Sequence, residues 1–348
     1  MKKKFDFVIS NPPYQDDTSG NKTFAPPVYN KIMEAAFKIA DKAAFITPAR
    51  FLFDAGATPK DFNQRMLNDP HLKVLDYAPD ARKYFKGVDI EGGVAITFRD
   101  ETQNFGAIGI YTPFEELNSL HKKVCVDNKN FRPLTEIIFG QTVYRLTKKF
   151  HEDNPEAVNI IPKGHANDFS TVLMKRFSKL FFDTKPADGN DYIQVHGRVG
   201  TERVCKYFRS DWVTHPAPFD KWKILVPTAN GSGAFGEVYS TPLIGLPILS
   251  KPFFANTETF ITVGAFDTLD EAEACLKYIK SKFARAMLGI LKVTQHATPD
   301  KWAKVPLQDF TATSDINWDL NVDEQLYRKY NLSETEIKFI ETHVKEMI

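Results

Sequence analysis

With 348 residues, 43% of them apolar, the chain is long enough for two domains of ordinary size and can bury a core. A net charge of +1 rules out a global pull toward nucleic acid, so any such binding has to come from local patches such as Arg145–Lys149 or Lys282–Lys292. The widely spaced Cys125, Cys205 and Cys275 argue against a disulfide framework or a thiolate metal site, and no apolar run reaches the length of a membrane span; a soluble, cytoplasmic protein is expected.

Phe5–Ser10 (FDFVIS) is a short apolar run broken by Asn11-Pro12-Pro13, which predicts a buried strand ending in a loop. Residues 15–25 are polar and glycine-containing. Pro26-Pro27 then open a helix with Val28, Ile32, Ala35, Ala36 and Ile39 on one face. Lys42–Phe53 predicts a second strand stopped by Pro48, Pro59–Asn68 a short helix, His71–Tyr77 a third strand and Gly92–Arg99 a fourth. Strands alternating with helices indicate a parallel-type α/β sheet.

After Asp100 the texture changes. Residues 113–125 read as helical, and from Phe131 to Phe266 short strand-like runs such as Asp191–His196, Trp222–Val226 and Thr259–Val263 alternate with Gly, Pro and Asn. Asp267–Leu291 predicts one long helix: Thr268 and Glu271 form a capping box, and Leu276, Ile279, Phe283 and Met287 follow at helical spacing. Ser333 and Glu336 repeat the signature ahead of a closing helix, Glu334–Met347. The expected division is 1–103, 104–320 and a helical segment 321–348.

Asn11-Pro12-Pro13-Tyr14 falls at the carboxyl end of a strand, where open α/β sheets bind ligands. Methylating an exocyclic amine requires its lone pair to face the methyl donor. The Asn11 side-chain oxygen and the Pro12 carbonyl can arrange this by accepting the two amine hydrogens, with the two prolines fixing the backbone. Tyr14 offers a flat face for a flipped-out base. The bland alternative is a tight proline turn with a packed tyrosine.

FDFVISNPPYQ resembles the catalytic motif of adenine-specific DNA methyltransferases of type II restriction–modification systems. FITPARFL and VDIEGGVAITFRD are similar to the next strands of the same catalytic half, and NGSGAFGEVYS, TETFITVGAF, EAEACLKYIKSKFARAMLGILKVTQ and KVPLQDF to the family's carboxyl-terminal specificity region. The resemblance implies a partial Rossmann-like methyltransferase sheet followed by a mixed, β-rich α+β target-recognition domain. It also implies S-adenosylmethionine as methyl donor and double-stranded DNA as partner. Asn11, Pro12, Pro13 and Tyr14 would be the catalytic residues, and Phe98 could sandwich the base from its other side, or be a core aromatic.

The family's cofactor loop is missing. Only nine residues precede Ser10, too few for a glycine-rich strand–loop–helix. Asn230-Gly231-Ser232-Gly233-Ala234-Phe235-Gly236 is glycine-rich but is followed by an extended pattern, so a hairpin or DNA-facing loop is expected there. The sheet therefore reads as half a sheet whose first strand is an edge, completed by a missing upstream segment or by a second polypeptide; a restriction nuclease is a further partner of such systems. Pro79-Asp80 with Asp89-Ile90-Glu91 lacks the lysine of a metal-dependent nuclease and reads as a loop. Arg285, Lys292, Gln295 and His296 cluster at the end of the long predicted helix, where they could read base edges or satisfy the helix dipole. The favoured function is adenine-N6 methylation of DNA; the rival is a DNA-recognition subunit or degenerate methylase that binds DNA without methylating it.

Overall fold

Alternating Phe5, Phe7 and Ile9 make β1 (Phe5–Ser10) a strand, as aromatic and β-branched residues favour. The computed structural model describes residues 3–16, 25–54, 56–88, 90, 92–162, 164–230, 235 and 240–347, and the chain divides into two units, Met1–Asn118 and Ser119–Ile348.

In the first unit β1 is followed by α1 (Tyr29–Ile39), β2 (Ala40–Pro48), α2 (Lys60–Asn68), β3 (Leu72–Ala78) and β4 (Val94–Asp100). The sheet order is β1-β2-β4-β3. β1 and β2 run parallel, but β4 is antiparallel to both β2 and β3, so the sheet is mixed rather than parallel throughout. The cause lies in the connection between β3 and β4. Among its described residues it holds only a short 3-10 turn at Ala81–Lys83, and a parallel return needs a full crossover, usually a helix. The core lies on one face, where Ala43, Phe45, Leu72 and Ala95 meet Tyr29, Met33 and Ala36 of α1 and Phe62, Met66 and Leu67 of α2.

β1 is not the buried strand its composition suggests. It stands at the edge of the sheet, with Phe5, Phe7 and Ile9 47%, 44% and 79% exposed. Phe7 stacks on Phe98, which in turn meets Phe105, with the Lys73 ammonium over both Phe98 and Phe105.

Gly93 leads into β4 with φ +73°, and its carbonyl accepts the Ala49 N–H at 3.0 Å, joining the carboxyl end of β2 to the start of β4. A Cβ there would stand 2.2 Å from the Ala78 carbonyl oxygen. Gly93→Ala is expected to destabilise this unit by about 1–3 kcal/mol through strain and clash together. A urea midpoint unchanged from the parent would contradict that.

The second unit is mixed as well. α3 (Glu115–His121) runs across the division, and β5 (Ile138–Phe139), α4 (Lys148–Asp153), α5 (Ala157–Ile160) and α6 (Thr171–Arg176) follow. β6 (Tyr192–Val199) and β7 (Glu202–Arg209) form an antiparallel hairpin, then come β8 (Trp222–Pro227), β9 (Ile248–Ser250), β10 (Phe254–Asn256) and β11 (Phe260–Phe266). They make two sheets, β10-β6-β7 and β5-β11-β8-β9. Phe150, Phe169, Phe181, Phe208 and Trp212 fill one core, and the Trp212 indole donates to Asp153 at 2.9 Å.

The long helix expected over 267–291 is broken into α7 (Leu269–Lys280) and α8 (Lys282–Gly289). Ser281 sits between them with extended backbone, and its hydroxyl accepts the Ala284 N–H. The Asp323 carboxylate accepts the N–H groups of Lys282 and Phe283 at 3.0 and 2.8 Å. These acceptors satisfy the donors freed by the break, a fresh helix start that the apolar spacing conceals. Both capping boxes form, Thr268 with Glu271 and Ser333 with Glu336; the closing helices are α9 (Val322–Lys329) and α10 (Glu334–His343), the latter shorter than expected.

His196 on β6 stacks against Phe254; burial, with the Lys223 charge as a lesser cause, pushes its pKa down to about 4. An unfolded chain takes up this proton from about pH 6.5 downward, whereas the fold holds the ring neutral until about pH 4. The unfolded state therefore binds more protons across that window, and this residue makes stability fall as pH drops from about 6.5 to 4. Denaturation series at pH 7 and pH 5 should show a smaller loss for His196→Asn than for the parent; equal losses would remove His196 as the cause.

Candidate functional site

Parallel pairing brings the carboxyl end of β1 beside the carboxyl half of β2, with Ser10 opposite Phe45. The chain leaves the sheet there through Asn11-Pro12-Pro13-Tyr14, at the end where open α/β sheets gather ligands. Pro12 is buried while Asn11 and Pro13 are exposed. Two bonds pin the far side of the loop: Val28 N–H donates to the Tyr14 carbonyl at 3.2 Å, and Asp16 N–H to the Pro26 carbonyl at 2.9 Å. Residues 14–16 thus pair with 26–28, fixing where the loop ends whatever the intervening chain does.

Two acceptors of the loop are unengaged. Among the described residues neither the Asn11 side chain nor the Pro12 carbonyl takes part in a hydrogen bond. Tyr14 is half-buried and meets Phe85 edge-on, with ring centroids 6.4 Å apart. Its hydroxyl is buried without a partner, and burial raises its pKa, so it stays a neutral phenol. An orphaned buried hydroxyl costs about 1–3 kcal/mol relative to a satisfied one.

The sequence reading missed Phe85 and Arg50. Phe85 comes from the connection between β3 and β4, and no local pattern links it to Tyr14. Arg50 follows the end of β2. Its stem occupies the space a Cβ would need at Gly56 (2.8 Å) and Gly92 (3.0 Å), and its charge partly offsets the burial that raises the Tyr29 pKa. Two glycines packed on one arginine stem would have been the signal, but they are 36 positions apart in the sequence.

Of the remaining predicted residues, Phe98 belongs to the same unit as this loop, and Arg285, Lys292, Gln295 and His296 belong to the second unit. Phe98 pairs across β4 with Ala44 and Lys73, and its ring contacts are with Phe7 and Phe105, not with Tyr14. Arg285 and Lys292 are fully buried, which goes against the base-reading alternative for them and leaves the structural one. Arg285 donates to the carbonyls of Lys280, Ser281, Pro242 and Lys345, and Lys292 to that of Thr294. Gln295 and His296 are exposed, on the stretch whose Gln295 carbonyl accepts the Asn230 N–H.

The patches singled out for charge are largely neutralised. Arg145, Lys148 and Lys149 pair with Asp168, Glu152 and Asp153, and Lys282 with Glu341. Asp80 pairs with Arg82, while Asp89, Glu91 and residues 231–234 and 236 of the glycine-rich stretch lie outside the described residues. Among the described residues no group of three or more His, Cys, Asp or Glu could hold a metal ion, and no helix is long and apolar enough to cross a membrane.

The geometry defines a class before any comparison: a rigid, acceptor-bearing loop with an aromatic face, at the carboxyl edge of an open mixed sheet. A family model described as Eco57I restriction-modification methylase matches residues 1–85, so this part of the chain is similar to restriction–modification methylases. No curated protein matches the chain. Among solved structures it is similar to that reported as the crystal structure of the type IIG restriction endonuclease BpuSI, with 8% identity and a TM-score of 0.32 over 97% of this chain and 53% of that one. The chain thus spans about half the length of that enzyme.

Proposed function

We propose that this chain serves in site-specific DNA methylation within a restriction–modification system, presenting the N6 amine of an extrahelical adenine to S-adenosylmethionine. The observation that carries the reading is the pair of unengaged acceptors, the Asn11 side chain and the Pro12 carbonyl, beside the half-buried face of Tyr14. The amine donates one hydrogen to each acceptor, which turns its lone pair outward. Tyr14 stacks on the base, and the prolines keep the carbonyl aimed. No general base is required for the attack, because an aligned and desolvated amine attacks with its own lone pair; the donor's sulfur would leave as a neutral thioether, and the extra proton of the methylated amine would pass to solvent.

The described residues do not fit the whole cofactor. β1 runs into Asn-Pro-Pro and β2 into Pro48-Ala49, and neither opens a glycine-rich turn feeding a helix. S-adenosylmethionine, which supplies the electrophilic methyl group, is on this reading held by a complementary strand–loop–helix segment, elsewhere in a longer chain or on a partner. That segment pairs with the open edge of β1. The order β1-β2-β4-β3, with β4 antiparallel, supports the view that this sheet is the catalytic half of a Rossmann-like methylase sheet. The second unit then selects the DNA sequence.

The test is methylation of plasmid DNA with a radiolabelled donor, using the chain with and without the products of neighbouring genes, followed by nucleoside analysis. Label on adenine N6 is expected when the complementary segment is supplied; label on another base, or none in any combination, defeats the proposal. The lack of a cofactor cradle among the described residues favours one second reading, a DNA-recognition chain without catalysis, which would bind duplex DNA but never acquire label in its presence.

A further inference from the structure

β6 and β7 are joined through Gly200-Thr201, with Gly200 at φ +62°, the glycine-first pattern of a tight hairpin turn. The register sets Arg198 directly opposite Arg203 next to this turn. Like charges directly opposite each other destabilise a strand pair, so an arginine pair here calls for an explanation.

No carboxylate supplies one. Among the described residues neither guanidinium takes part in an ion pair. Arg198 Nη2 donates only to the Thr201 carbonyl at 3.2 Å, and its Nε is buried with no partner. Arg203 Nη1 donates to the Leu246 carbonyl at 2.6 Å, and its guanidinium lies over the Phe260 ring at 5.9 Å. Burial first, and the Arg198 charge second, lower the Arg203 pKa. Gly245 keeps this corner open: a Cβ there would come within 3.3 Å of Arg203 Nη2. Elsewhere on β7 the cations are neutralised, Lys206 by Asp183 and Arg209 by Asp211 and Asp153. Among the described residues the uncompensated charge on this hairpin is thus confined to one cross-strand pair, whose remaining N–H donors meet no described acceptor.

We propose that Arg198 and Arg203 form a phosphate clamp through which the β6–β7 hairpin grips the DNA backbone. A phosphate between the two guanidiniums removes their repulsion and takes up unused terminal N–H donors, and the planar fork of arginine suits it better than the point charge of a lysine would. Such a contact positions the duplex without reading its sequence. The identity of the partner as DNA rests on the function proposed above; the anion site does not.

The full chain is titrated by fluorescence anisotropy with a labelled duplex over a salt series, as parent, as R198Q/R203Q and as R198K/R203K. In parallel, inorganic pyrophosphate is titrated while the arginine Nε–H resonances are followed. The Gln variant is expected to melt at the same temperature as the parent or higher, because the repulsion is gone. It should bind duplex about tenfold more weakly, with the slope of log K against log salt shallower by about 0.9 for the lost phosphate contact. The Lys variant should keep most of that slope while losing part of the affinity. Equal affinity and slope for parent and Gln variant would overturn the clamp and leave the DNA reading intact. Pyrophosphate binding that the Gln substitutions abolish, with no duplex binding by the parent, would uphold the clamp and sink the DNA reading. Binding of neither probe, or a Gln variant that no longer folds, would overturn the clamp.

Discussion

Asn11→Ala is expected to lower methyl transfer by about 10²–10³-fold, the usual consequence of deleting one aligned hydrogen-bonding group that acts on the reacting centre. The Asn11 side chain is exposed and has no hydrogen bond among the described residues, so its removal should leave the melting temperature unchanged within the small effects typical of surface substitutions. Duplex binding should change little, because the proposed backbone contact is at Arg198 and Arg203. The combination is diagnostic: a structural proline turn would show either no effect at all or a loss of stability with the loss of activity. Methylation at the parent rate, measured with the complementary segment present, would remove Asn11 from the mechanism. Tyr14→Phe separates another contribution. It keeps the stacking face but deletes the buried, unpartnered hydroxyl, so the fold should be as stable as the parent or more so.

The largest effect on stability is expected at Arg285. This side chain is fully buried and donates to the carbonyls of Lys280, Ser281, Pro242 and Lys345, joining the break between α7 and α8 to residue 242 and to the carboxyl-terminal segment. Burial draws its pKa down to about 10, which still leaves it charged at neutral pH. Arg285→Ala strips these carbonyls of a shared donor and opens a cavity, and should cost about 3–5 kcal/mol in denaturant unfolding. Arg285→Lys should recover only part of this, since one ammonium cannot reproduce the guanidinium fork. If Arg285 instead touched DNA, Arg285→Ala would flatten the salt dependence of duplex binding and spare stability. That outcome would make Arg285 a DNA contact rather than an interior clasp.

Much of the candidate site could be read from a few neighbouring letters. Apolar alternation ended by Asn-Pro-Pro was enough to put a loop at the end of a strand, and Thr268 with Glu271 or Ser333 with Glu336 was enough to start a helix. These features arise from interactions within about four residues, which a sequence displays directly. The break at Ser281 was less legible, because the Asp323 carboxylate that caps the new start lies 40 residues beyond Phe283.

The sequence alone determined the strand followed by its rigid acceptor loop and the capped helix starts, because chain connectivity and local backbone preference act before any packing. Tertiary structure alone decided that β4 runs antiparallel, that Phe98 belongs to a stack with Phe7 and Phe105, that Arg285 and Lys292 are interior, and that Arg198 faces Arg203. Burial and cross-strand register depend on segments far apart in the chain meeting in space, and the same arginine letter can stand for a buried carbonyl clasp or for one half of a like-charged pair beside a hairpin turn.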